Sequence, residues 1–223
     1  MACYREDLSW LRNVPAAWQI TIYDKSGEAK APPLPRAALV SLPNVGREAH
    51  TYLHHIVTRY DDLAPRTVFC QGKPFDHAFD FHATLRRMAA QKEITTAFEP
   101  LGHLVDTDSH DGARLFKTWS KNEDGHGLDM RGFHRALWDS DGPDLYTFRG
   151  GAQFAVTREC IREQPRAFYE RALAVSASYP EAAHCFERSW PLVLGLVNPD
   201  LAWLDGRELA YLKPPRKSLA TQD

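Results

Sequence analysis

Three short β-type runs, separated by amphipathic helical stretches, constrain this chain more than any single motif. "QITIY" (19–23) ends in the turn sequence Asp24-Lys25-Ser26-Gly27, and "TVFCQ" (67–71) ends at Gly72. "YTFRGGAQFAVT" (146–157) is an apolar run broken by Gly150 and Gly151. Helical patterning covers 42–63, 76–92, 158–177 and 180–194, with Pro180 at the first turn of the last. Such alternation predicts a single α/β domain over 1–213, with a mainly parallel central sheet flanked by helices. Ligands of such sheets sit beyond the carboxyl ends of the strands.

The clearest helix lies in "LPNVGREAHTYLHHIVTRYDDL" (42–63), where Ala49, Tyr52, Leu53, Ile56, Val57 and Tyr60 form one apolar stripe. Its entry carries Asn44, Gly46, Arg47 and Glu48, which a core helix does not need. Gly46 permits close approach of backbone to a ligand, the free N–H groups of a helix start favour anions, and Arg47 offers a planar fork for phosphate or carboxylate. A loop glycine with a surface Arg–Glu pair fits the pattern equally well. The strand-end rule brings Asp24 and Lys25, Gln71 to Lys73, and Asn44 to Glu48 to one rim.

The charges give no field that would attract nucleic acid, since 27 lysines and arginines stand against 29 aspartates and glutamates. Cys3, Cys70, Cys160 and Cys185 lack metal-ligand spacing and read as free thiols in a reducing cytoplasm. No run approaches the roughly 20 apolar residues of a membrane span, and no signal peptide is visible, so work at a membrane would be peripheral. "EAKAPPLPRAALVSLP" (28–43) reads as an irregular exposed loop, 99–143 as a long, weakly periodic connection, and 214–223 as a disordered tail.

Two acidic clusters invite a metal reading. In "QGKPFDHAFDFH" (71–82), Asp76 and Asp80 share a helix face that His77 and His82 do not. "VDTDSHDG" (105–112) holds Asp106-x-Asp108, suited by charge to a divalent ion on phosphates, though a plain acidic loop is the simpler account. Asp76, His77, Asp106 and Asp108 are the metal candidates. In "AAHCFERSWPLVLG" (182–195), Ala183, Phe186, Trp190, Val193 and Leu194 face inward, with Glu187 at the edge of that stripe. Pro191 disturbs the Glu187 carbonyl, and a carboxylate at a kink against tryptophan suits a general base. A structural Glu187–Arg188 contact is the competing account. His50, His54 and His55 read as packing or surface residues.

"YREDLSWL" (4–11), "ITIYDK" (20–25), the 42–63 segment, "TVFCQGKPFDH" (67–77), "GAQFAVTRECIREQPRAFYERAL" (151–173) and "FERSW" (186–190) resemble an uncharacterised family of bacterial and fungal domains associated with GT-A sugar-nucleotide-dependent glycosyltransferases. The Asn-x-Gly-Arg-acidic entry and the late Glu-Arg pair are also similar to segments of rhamnan-type and capsular-polysaccharide glycosyltransferases. The resemblance implies a nucleotide-sugar donor near Tyr4, Asp24, Lys25, Gln71 and Lys73, with Asn44, Gly46, Arg47 and Glu48 beside it. It implies a glycan or small-molecule acceptor bordered by Gly150, Gly151, Gln153, Arg188 and Trp190, and Glu187 as the base. Two departures stand out. The chain starts at "MACYRED", where a first strand should be almost complete, so that strand is clipped or the start is misassigned. Gln71-Gly72-Lys73 replaces the carboxylate that metal-dependent members carry after the central strand, so Lys73 or Arg47 would neutralise the leaving diphosphate in place of Mn2+ or Mg2+. A non-catalytic nucleotide- or carbohydrate-binding domain and a metal-dependent hydrolase are the alternatives.

Overall fold

A computed structural model describes residues 1–28, 31–197, 207 and 209–212. The fold is mixed α/β. In chain order the strands are β1 (Ala2–Cys3), β2 (Ile20–Asp24), β3 (Ala37–Ser41), β4 (Arg66–Phe69), β5 (Phe98–Pro100), β6 (Leu104–Ser109), β7 (Leu145–Arg149), β8 (Phe154–Thr157) and β9 (Leu209–Tyr211). The helices are α1 (Arg47–Arg59), α2 (Phe81–Ala90), α3 (Met130–Trp138), α4 (Arg158–Arg162), α5 (Arg166–Ser178) and α6 (Ala182–Val193).

β1, β2 and β3 pair in parallel, in that spatial order. A parallel bridge between Ala2 and Gln71, with Ala2 N–H donating to the Cys70 carbonyl at 3.0 Å, joins them to β4. β8 then runs antiparallel between β4 and β5. A third sheet, β7-β6-β9, is antiparallel throughout. Parallel pairing is therefore confined to the N-terminal part, and the mainly parallel sheet expected from the alternation is corrected. β7 and β8, separated only by 150–153, enter different sheets, and each pairs antiparallel with its neighbours there.

Strand alternation divides the core. Phe69, Phe154 and Val156 face a cluster with α1, α3, α5 and α6, while Cys70 and Ala155 face Leu11, Phe81, Leu85 and Met88 on the other side. Helices thus cover both faces. The α1 stripe is as its spacing predicts: Ala49, Tyr52, Leu53 and Ile56 are fully buried, and Val57 and Tyr60 pack at the margin.

Five boundaries differ from the sequence reading. The 76–92 helix begins only at Phe81, with Asp80 at its N-cap and Asp76 in a separate 3-10 turn, so these two acids do not share a helix face. The 28–43 loop contains β3, whose backbone is completed by β2 despite the prolines before it. The 99–143 connection carries most of β5, all of β6, and α3, which Asp129 caps by accepting from Gly132 N–H at 2.8 Å. The 158–177 helix breaks before Pro165, which lacks the N–H to continue it. Pro180 lies in a turn, and α6 starts after Glu181, whose φ is 52°. The proposed 214–223 tail lies outside the described residues. The four cysteines are free and buried. Among the described residues, no helix is long and apolar enough to cross a membrane.

Candidate functional site

The carboxyl ends of β2 and β3 build one side of the site. Asp24 is buried and turns the chain by accepting from the Ser26 amide (3.1 Å) and hydroxyl (2.7 Å). That turn sends Lys25 inward, where its ammonium donates to the carbonyls of Val45 and Arg47. Burial lowers the Lys25 pKa to about 8, with Glu48 opposing the shift. Lys25 therefore braces the entry to α1.

That entry needs its glycine. Gly46 has φ 57°, and a Cβ there would stand 2.2 Å from the Ser176 carbonyl oxygen on α5. Arg47 follows with φ 45°, a left-handed conformation that costs a non-glycine residue free energy. Gly46 has no side chain to cap the helix, and the Glu48 N–H is held by its own carboxylate, so only the remaining N–H groups of the first turn are open to solvent or a ligand. Arg47 is exposed beside them, and Asn44 is also exposed.

Three carboxylates converge from α1, α6 and β6. Glu48 is half-buried; burial and the neighbouring Glu187 push its pKa up to about 7, against its own N–H, Arg47 and Lys25. Asp106 is buried and its pKa is raised by burial, with Asp108 and Glu187 adding to the rise and Thr107 N–H and Arg188 opposing it. Glu187 interacts with both and accepts a 2.6 Å hydrogen bond from Gly151 N–H. Gly151 has φ 89°, and a Cβ there would collide with the His77 ring at 2.4 Å. The glycine lets the β7–β8 turn aim its amide at Glu187.

The partner expected for Glu187 is placed elsewhere. Arg188 and Asp108 are 2% and 0% exposed, and Arg188 reaches Asp108 Oδ2 through Nε (3.1 Å) and Nη2 (2.7 Å). Asp108 also accepts from the amides of Ser109, Leu115 and Phe116 at 2.9–3.1 Å. Both of its oxygens are occupied. Arg188 and Trp190, expected to border an acceptor, are thus interior; Trp190 packs on Phe154, Tyr52 and Phe186. Gln153 is buried too, donating to the Pro74 carbonyl at 3.0 Å, and Gly150 N–H is spent on the Leu104 carbonyl.

The 71–82 acids separate. Asp76 pairs with Lys73 at 3.2 Å on the surface, and Asp80 with His103 at 2.9 Å. His77 lies against Gly151, and His82 meets the Trp10 carbonyl. Among the described residues, no group of three or more His, Cys, Asp or Glu side chains is arranged to hold a metal ion. Tyr4 and Gln71 remain close to each other: Glu6 accepts from the Tyr4 and Arg5 amides and lies against Gly72, beside the Ala2–Gln71 bridge. Lys73 points away to Asp76.

Two neighbours escaped the sequence reading. Tyr52 counted only as stripe, yet its buried hydroxyl has no hydrogen-bond partner among the described residues and interacts with Glu48 and Glu187. Burial holds His184 down at about 4, with Arg47 and Arg188 adding to the effect. Only its position four residues before Arg188 could have marked it. A cavity of about 750 Å3 lies away from this cluster, between α2 and β5. Of its charged lining, Arg87 pairs with Glu99 and Asp80 with His103, while Arg149 donates to the Pro100 and Gly102 carbonyls, so the converging carboxylates outweigh it as a reactive site. A pocket of about 40 Å3 adjoins Glu187, between Gln153, Trp190 and Pro191.

Neither the curated proteins nor the solved structures give a match to this chain. The family model described as "Protein of unknown function (DUF3431)" matches residues 1–199. A match over that much of the sequence means that the chain belongs to the DUF3431 family.

Proposed function

We propose that this protein is a glycosyltransferase of GT-A-like design, moving a sugar from a nucleotide-sugar donor to an acceptor hydroxyl. One observation carries the reading: Glu187, oriented by Gly151 N–H, lies within electrostatic reach of Glu48 and Asp106, near the start of α1 where Gly46 provides no side-chain cap. The resemblance of the 42–63 and 186–190 segments supports the same assignment. Arg47 and the first-turn N–H groups of α1 are the groups suited to the donor's diphosphate. Glu187 takes the acceptor hydroxyl's proton as the new C–O bond forms and the bond to the diphosphate breaks, leaving a nucleoside diphosphate.

A divalent ion does not fit the residues present. The second carboxylate of Asp106-x-Asp108 is consumed by five donors, and the position after β4 holds Gln71-Gly72-Lys73. A binding domain without turnover is the second reading, favoured by the roughly 40 Å3 available next to Glu187.

The test is a thermal-shift and turnover screen of nucleotide sugars on the wild type and Glu187→Gln. Stabilisation of both by the same nucleotide, with release of nucleoside diphosphate by the wild type only, is the expected result. Stabilisation without release points to the binding domain. No response to any nucleotide ends the donor reading.

A further inference from the structure

We propose that Arg188 is a positioning residue for Glu187, and that the bond by which it acts withdraws Asp108 from service as a metal ligand. The proposal rests on the assignment of Glu187 as base. Glu187 and Arg188 are adjacent on α6 but diverge: Glu187 meets the Gly151 amide on the β7–β8 turn, and Arg188 meets Asp108 at the end of β6. Two fixed points, one on the β7–β8 turn and one on β6, define how α6 is rotated about its axis. A one-residue helical step is about 100°, so freeing Arg188 lets Glu187 swing away from Gly151.

Arg188 is unusually constrained for this task. Its Nη1 donates to the His184 carbonyl at 2.9 Å, and its guanidinium lies 4.7 Å from the Phe148 ring centroid, on β7. Asp108 in turn gathers the amides of Leu115 and Phe116, so one carboxylate sets both α6 and the chain after β6. The planar fork is needed; lysine offers a point charge without it. Of the Asp-x-Asp pair, only Asp106 is left to face Glu187.

The experiment follows backbone amides by NMR in the full chain, with Glu187→Gln identifying how the Gly151 resonance responds to loss of the carboxylate. Arg188→Lys should move the Gly151 amide proton upfield by a large part of the Glu187→Gln shift, and Arg188→Met by at least as much. If Arg188→Met does not fold, Arg188→Lys decides. A folded variant with the Gly151 resonance unchanged overturns the positioning role. Mn2+ alone is then titrated into wild type and Asp108→Glu. Expected is no selective broadening of the Ser109 amide, which donates to Asp108, in the wild type. Selective broadening there, altered in Asp108→Glu, overturns the withdrawal from metal binding. UDP and GDP, added to the wild type, test the donor reading separately through the Gly46 amide; silence there leaves the Gly151 result standing.

Discussion

Asp108→Asn tests the most deeply buried ion pair among the described residues. The substitution keeps the size of the side chain and removes its charge, leaving the Arg188 guanidinium 2% exposed with no carboxylate. Breaking one side of a buried ion pair costs about 3–5 kcal/mol. The upper half applies here, because the new amide has one acceptor oxygen where two carboxylate oxygens served five donors. For a domain of this size the upper half of that range is a fall in Tm of about 8–20 °C. Urea unfolding should show a lower midpoint with an unchanged slope. Adding Arg188→Met removes the stranded cation, so the double variant should recover about 1–3 kcal/mol relative to additivity. A loss under about 1 kcal/mol, or costs that add within about 0.5 kcal/mol, would refute the view that this pair ties α6 to β6.

Gly46→Ala should cost well over 2 kcal/mol, because it adds a 2.2 Å contact with Ser176 to the roughly 1–2 kcal/mol of a left-handed alanine; Gly27→Ala, at φ 71° in open space, should cost only the latter. Equal losses in urea unfolding would mean that the contact relaxes freely. Arg47→Gly relieves a φ of 45° and should hold or raise the melting temperature by a few degrees while weakening nucleoside diphosphate binding at least about tenfold; lost stability with normal binding would make Arg47 structural. Burial holds His50, His55 and His184 down at about 4, so the unfolded chain binds more protons between about pH 4 and 6.5, and stability falls as pH drops through that range. Glu48, raised to about 7, acts oppositely, losing stability as pH rises from about 4.5 to 7. Glu48→Gln should therefore be more stable than wild type above pH 7 and show a steeper acid-side decline; parallel stability–pH curves would contradict this.

Local physics was legible in the chain itself. The 3.6-residue period of Ala49, Tyr52, Leu53 and Ile56 required a buried helix face, and the turn at Asp24 to Gly27 marked where backbone must bend; the glycine at 46 read as room for a ligand, and the structure sets the Ser176 carbonyl against it. Adjacent residues with unlike partners were not legible. Glu187 and Arg188 look like a local pair, yet their partners lie 36 and 80 positions away in sequence, at Gly151 and Asp108. Strand direction was hidden for a related reason. Apolar runs such as 146–157 carry the same pattern whichever way they pair, and what read as one run broken by two glycines is two strands that enter different sheets. Asp106-x-Asp108 read as a solvated loop because charge alone suggests water. Only the tertiary structure supplied a buried guanidinium and three backbone amides, the partners that let Asp108 sit inside a strand with no exposure at all.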